Sequence, residues 1–172
     1  SFESTLLDAK LQIELEEADN ILIGGVDELD NHTTKLHEII EHIKKEDIST
    51  NTLLGSKTKG SIFGEGANFF VLSNKKQASS YAEVVSVKMY NTLPLNNVVE
   101  TTLSFLKENN LNTKDIDAVV LGNNGDVEFD DFYNELTSNI FSNTQQVCYK
   151  HLIGEFNTAS PFGVWIASKI LK

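Results

Sequence analysis

The chain contains no arginine. All fourteen basic residues are lysines, they face twenty-five acidic residues, and the net charge is −11. Arginine supplies the planar fork that binds phosphates and carboxylates in bidentate fashion. The composition therefore argues against a nucleic-acid partner. The densest lysine groups, Lys57 with Lys59 and Lys75 with Lys76, are interpreted as solvated loops.

Cysteine and long apolar runs are also scarce. The single cysteine, Cys148, cannot form an internal disulfide or a thiolate-rich metal site, and we expect it in the core. No run approaches the roughly 20 apolar residues that span a bilayer, and the first residues lack the pattern of a secretory signal. These absences predict a cytoplasmic location and no membrane contact.

The first part of the chain predicts a helix, a strand and a second helix. The helix over 4–17 is expected to bury Leu7, Leu11 and Leu15, which recur at a spacing of four. The run "NILIGG" predicts a buried strand. In the second helix, one apolar stripe is expected to face the core, formed by Leu36, Ile39, Ile40 and Ile43.

The rest of the chain predicts an α/β fold. Two β-rich stretches, "GANFFVLS" and "AEVVSVKMY", are expected to form an antiparallel pair. Strands "IDAVVLG" and "QQVCYK" then alternate with helices over 96–109 and 131–141, and a last helix starts near Ser160 and Pro161. Such alternation predicts a largely parallel sheet covered by helices. A boundary near 74–81 divides the chain into 1–75 and 76–172.

Four segments resemble the β-ketoacyl synthase family. They are "ADNILIGGVDE", "GSIFGEGANFFVLS", "DIDAVVLGNNGD" with "FDDFYNEL", and "CYKHLIGEFNTASPFGVWIASKIL", which lie in the family's order. The resemblance implies a thiolase-like layered fold and covers the C-terminal two-thirds of such an enzyme. On this basis 1–75 is the end of the N-terminal half and 76–172 is most of the C-terminal half, so the fold is expected to be incomplete.

The resemblance also implies candidate catalytic residues. Asn123 takes the place of one family histidine, Glu155 takes the place of the other, and Lys150 matches the family's lysine. Glu135 is the expected carboxylate partner of Lys150. Because Asn123 and Glu155 are both expected at the carboxyl ends of parallel strands, we predict that they approach each other at one cleft.

The implied activity is decarboxylative condensation of acyl and malonyl thioesters, an acyltransferase reaction of fatty-acid or polyketide-type synthesis. The implied partners are acyl carrier protein and a second subunit, in a homodimer or a heterodimer with a ketosynthase, paired through "GANFFVLS". The family's nucleophilic cysteine is expected ahead of Ser1. The altered histidines favour an alternative, a non-catalytic subunit like the chain-length factors. A third possibility is a scaffold domain that shares only the fold.

No cofactor or metal is expected. In "HEIIEH", His37 and His42 are five residues apart and are predicted not to share a helix face, so we interpret the segment as a solvated surface. Glu65 is expected to anchor a loop by backbone hydrogen bonds. His151 is expected to point away from the pocket of Lys150.

Overall fold

The computed structural model describes all residues, 1–172, and contains ten helices and strands longer than a single 3-10 turn. The first part runs α1 (Phe2–Glu14), β1 (Asn20–Asp27), α2 (Asn31–Ile39) and β2 (Gly66–Ser73). The second part runs α3 (Val98–Glu108), β3 (Ala118–Leu121), α4 (Val127–Asn139), β4 (Gln145–Cys148), α5 (Lys150–Ile153) and α6 (Ser160–Ile170).

The strands form two separate two-stranded sheets. β1 and β2 are antiparallel, with Asn20 opposite Ser73, whereas β3 and β4 are parallel, with Leu121 opposite Cys148. The expected largely parallel sheet is therefore wrong for this chain, because one of the two strand pairs is antiparallel. The parallel βα alternation that the sequence predicted is present only from β3 onward.

The predicted strand "AEVVSVKMY" forms no ladder, and the partner of β2 is β1. Val84 and Val87 instead pack against the main hydrophobic cluster, which consists of Phe2, Leu6, Ala9 and Ile23. Burial of these valines against α1 holds the segment without hydrogen bonds to a neighbouring strand. β-propensity predicts that the segment is extended, but it does not predict whether a neighbouring strand is available for pairing.

Helix α1 buries a different face from the predicted one. Phe2, Leu6 and Ala9 are buried, while Leu11 and Leu15 are exposed. The helix begins earlier than expected because the Ser1 hydroxyl accepts a hydrogen bond from the Ser4 amide at 3.4 Å. Phe2 therefore lies within the helix, and Phe2, Leu6 and Ala9 form the stripe that meets β1.

Two apolar surfaces remain uncovered. Leu36 and Ile39 in α2, and Ile40 just after it, are exposed, which contradicts the expected core stripe. On the β1–β2 sheet one face is exposed, formed by Leu22, Val26, Phe69 and Val71. The predicted stripe also extends to Ile43, beyond the end of the helix at Ile39. Nothing in this chain covers these faces.

Helix α6 links the two sheets. It contacts β3, β2 and α1, and Val164 packs against the main cluster. Just before α6, the amide and hydroxyl of Thr158 both donate to Asp27 Oδ2 at 2.6 Å. The segment that precedes α6 is thereby fixed against the end of β1. None of the helices has the length and apolar character required to cross a membrane.

Candidate functional site

The loop between β3 and α4 is held by two buried carboxylates. Asp130 accepts hydrogen bonds from the amides of Asn124 and Gly125, each at 2.9 Å. Asp126 caps α4 by accepting from the Glu128 amide at 2.9 Å. Burial raises the pKa of Asp130, and the neighbouring charge of Asp126 adds to the increase. These contacts fix the backbone on which the Asn124 side chain is mounted.

The turn after α5 is held by close backbone contact with the segment before β2. Gly154 adopts a φ of +82°, and a Cβ there would lie 2.6 Å from the Gly64 nitrogen. On either side, the Glu155 amide donates to Ile62 O at 2.8 Å and the Gly64 amide donates to Glu155 O at 3.1 Å. The main chain of Glu155 is therefore clamped, and its side chain is aimed at the β3–α4 loop.

Three side chains converge at this position. Lys150 Nζ donates to both oxygens of Glu155, at 2.9 and 2.7 Å. The Asn124 amide donates to Glu155 Oε2 at 2.6 Å. The side chains of Lys150 and Glu155 are 16% and 20% exposed, so the ion pair lies at the wall of a cavity and is partly shielded from water.

The cavity has a volume of about 260 Å³. Beyond the three converging side chains it is lined by His42, Ser61, Phe63, Gly122, Asp126, Phe129 and Tyr133. Burial raises the pKa of Tyr133 to about 12, with the charges of Glu155 and Asp130 adding to the shift. The phenol is therefore neutral at physiological pH and can act only as a hydrogen-bonding group.

The structure brings Lys150 and Glu155 together, but the residue that meets them is Asn124 and not Asn123. Asn123 Oδ1 instead lies 4.0 Å from Cys148 Sγ, on the other side of the chain. Both asparagines lie in the loop after β3, which ends at Leu121, and the hydrogen bonds from the Asn124 and Gly125 amides to Asp130 set which side chain enters the cavity.

Two other sequence-based expectations are corrected. Glu135 is not the partner of Lys150, because its carboxylate accepts from Asn139 on the exposed face of α4. His37 and His42 do meet, with their Nδ1 atoms 3.3 Å apart. Helix α2 ends at Ile39 and Glu41 has a φ of +61°, so the chain turns back before His42 and helical spacing no longer applies.

The structural role expected for Glu65 is confirmed, since its carboxylate accepts from the Leu29 amide at 3.1 Å. His151 lies in α5 and not on a strand, and its Nδ1 atom is buried without a hydrogen-bond partner. For Cys148, burial raises the pKa of the thiol, with Asp130 adding to the shift. The only thiol of the chain is therefore a weak nucleophile at neutral pH.

Sequence reasoning missed Lys44, which holds the backbone beside the site. Its side chain is only 2% exposed, and its ammonium donates to Gly125 O at 3.0 Å and to Thr58 O at 3.1 Å. It therefore joins the 56–60 loop to the backbone beside Asn124. In the sequence Lys44 stands next to Lys45 in a charged stretch, so no pattern separates it from a solvated lysine.

Neither a protein-family description nor a curated protein matches this sequence. Solved structures do match. A crystal structure of a β-ketoacyl synthase from Burkholderia phymatum STM815 has a TM-score of 0.71 at 18% identity, covering 99% of this chain and 46% of the synthase. The ishigamide ketosynthase/chain length factor has a TM-score of 0.71 at 16% identity, covering 95% of this chain and 43% of its own.

The chain thus spans less than half the length of these solved structures, a smaller share than the two-thirds that the motifs suggested. At such identities the likeness concerns the fold and carries no activity with it. The chain is a mixed α/β protein with the fold of part of a ketosynthase, as the resemblance of its sequence predicted.

Proposed function

We propose that this chain is a non-condensing subunit of the ketosynthase fold, which pairs with an active ketosynthase in fatty-acid or polyketide-type synthesis as chain-length factors do. One observation carries the proposal. The carboxylate of Glu155 accepts hydrogen bonds from both Lys150 and Asn124, the two groups of the cavity best suited to stabilise an oxyanion.

Decarboxylative condensation builds negative charge on a thioester oxygen, and the enzyme must offer free donors where that charge develops. In this cavity the ammonium of Lys150 and the amide of Asn124 are already engaged by Glu155. An ionised carboxylate has no proton to donate and repels the enolate. Losing one oxyanion donor costs about 3 kcal/mol in the transition state, so the reaction is disfavoured at this site.

The chain also lacks an activated nucleophile among its own residues. Covalent transfer of the acyl group requires a thiolate, which forms when a thiol has a lowered pKa. Burial raises the pKa of Cys148 instead. Cys148 is therefore poorly suited to hold the acyl chain during condensation.

The uncovered apolar faces support pairing with another subunit. The outer face of the β1–β2 sheet carries Leu22, Val26, Phe69 and Val71, all exposed, and β2 has one unpaired edge. Exposed strands and contiguous apolar surface are typical of protein contacts. In the proposal this face meets the second ketosynthase subunit, and the acyl carrier protein delivers its thioesters to that complex.

The competing hypothesis is that the chain itself condenses acyl thioesters. The test offers acyl- and malonyl-carrier-protein thioesters to the purified protein and follows carbon dioxide and β-ketoacyl product. We expect neither. Turnover of about one per second, typical of a competent enzyme, would overturn the proposal.

Two further arms sharpen the test. Glu155→His replaces the carboxylate with a donor, so we expect malonyl thioester to lose carbon dioxide faster than in the wild type, while Glu38→His on exposed α2 leaves the rate unchanged. No gain in Glu155→His would show that Glu155 is not what blocks the site. Adding the wild-type chain to an active ketosynthase is expected to yield a heterodimer with an altered product chain length.

A further inference from the structure

Two histidine rings meet where α2 ends, beside the Glu155 cavity. The helix stops at Ile39, and the left-handed conformation of Glu41 turns the chain so that His42 folds back toward His37. Their Nδ1 atoms are 3.3 Å apart. The ring of Phe63 packs against His37 with centroids 4.5 Å apart and limits its rotation.

We propose that His37 and His42 form a binding site for a divalent transition-metal ion, with Zn²⁺ as the preferred occupant and the two Nδ1 atoms as ligands. Zinc–imidazole bonds are about 2.0–2.1 Å long, and at a tetrahedral angle they separate the two nitrogens by about 3.3–3.4 Å. The observed separation of 3.3 Å matches this distance. Imidazole nitrogens also favour zinc, copper and nickel over calcium and magnesium.

The surroundings suit a cation. The histidine pair lines a second cavity of about 280 Å³ whose walls also carry Asp27, Glu28 and Glu155. The lysines nearest along the chain, Lys35, Lys44 and Lys45, each form an ion pair with an acidic side chain, Glu38, Glu46 and Glu41 respectively. Carboxylates thus face the site, and the net charge of −11 adds to the attraction.

No cluster of three or more histidine, cysteine or acidic side chains in the chain has metal-binding geometry. Water therefore completes the coordination shell, and two positions stay open to exchange, as in metal sites that bind a further ligand. His42 also lines the Glu155 cavity. A bound ion brings positive charge to the wall that the two cavities share.

Without metal, the same contact is a hydrogen bond in which one imidazole donates its Nδ1 proton to the other. When zinc binds, that proton moves from Nδ1 to Nε2 of the same ring, so that both neutral imidazoles offer an Nδ1 lone pair to the ion. The two arrangements are distinguished by which ring nitrogens respond to added metal.

The experiment titrates the untagged chain of 172 residues with ZnCl₂ in a calorimeter. We expect one ion per chain. His37→Asn and His42→Asn are each expected to weaken binding by about tenfold or more, since loss of even an outer partner of a metal site costs that much. His32→Asn is the matched control, because His32 is exposed on the same helix and does not line the cavity. Equal loss in His32→Asn, or none in the two test variants, would overturn the proposal.

A second measurement guards against an indirect effect of the substitutions. In ¹⁵N NMR of the wild-type chain, zinc is expected to shift the Nδ1 signals of both His37 and His42. A response confined to Nε2, or to one ring, would refute the chelate. Circular dichroism of each variant checks that the fold is kept. Because the readout is metal binding, its failure would leave the proposed function untouched.

Discussion

Replacing Lys150 with methionine removes one partner of the ion pair at the candidate site while keeping the length of the side chain. The carboxylate of Glu155 would then retain only the Asn124 amide. Removing one partner of a buried pair costs about 3–5 kcal/mol, because the remaining charge is left uncompensated. With side-chain exposures of 16% and 20%, some water reaches the pair, so we expect a loss at the lower end, about 3 kcal/mol.

The assay is urea unfolding at pH 7, followed by circular dichroism and analysed as the free energy of unfolding. Lys35→Met is the matched control, since Lys35 and Glu38 form an ion pair with exposures of 69% and 46%. An exposed pair contributes about 0–1 kcal/mol. The control should therefore change stability by less than a third of the effect at Lys150.

A double-mutant cycle tests the cause. In Lys150→Met with Glu155→Gln the buried negative charge is gone, while the glutamine oxygen can still accept from Asn124. The double variant should be more stable than Lys150→Met alone, with a coupling energy of about 2 kcal/mol. A loss below about 1 kcal/mol in the single variant, or additive losses in the cycle, would refute the electrostatic explanation.

Three further predictions concern the same region. Gly154→Ala is expected to lower the free energy of unfolding by about 2–4 kcal/mol, because φ is +82° and a Cβ would lie 2.6 Å from Gly64 N. The control is Gly55→Ala, which should leave the unfolding midpoint nearly unchanged because the space around its Cβ is open. At pH 8, the Cys148 thiol should react with a disulfide reagent more slowly in the folded chain than in the chain unfolded by urea, since burial raises its pKa. Equal rates in the two states would contradict this. Burial raises the pKa of Asp130 above its ordinary value of 3.8, so the ionised carboxylate destabilises the fold at neutral pH. As pH falls toward 3.8, the folded state takes up the proton before the unfolded state does, and the contribution of Asp130 to the free energy of unfolding rises. Carboxyl NMR titration should give a pKa above 3.8, and unfolding of Asp130→Asn should lack this pH-dependent gain.

The local elements near the site followed from the sequence. "GANFFVLS" forms β2, "AVVL" lies in β3, and the last helix starts at Ser160 with proline at its first turn. Alternation, apolar runs and proline placement are properties of short sequence segments, so they indicate local structure independently of the tertiary fold. Lys150 and Glu155 were also identified from the sequence, because both stand at the family's spacing from Gly154.

Pairing and burial did not follow from the sequence. The apolar stripe of α2 was predicted to face the core, yet Leu36 and Ile39 are exposed. The segment "AEVVSVKMY" has the composition of a strand, yet it forms no strand pairing. A period states which residues share a face, while the surface that covers the face depends on elements distant in the chain. The same limit explains the choice of helix face in α1.

The sequence by itself determined the fold class, the order of most elements, and the placement of a lysine and a carboxylate near one glycine turn. The tertiary structure decided which asparagine joins them: the Asp130 carboxylate holds the β3–α4 loop so that Asn124, and not Asn123, reaches Glu155. It also decided that His42 meets His37, because the backbone turn at Glu41 overrides helical spacing. Both outcomes depend on backbone direction at the end of an element, where a single residue's φ and one long-range hydrogen bond set the position of a side chain.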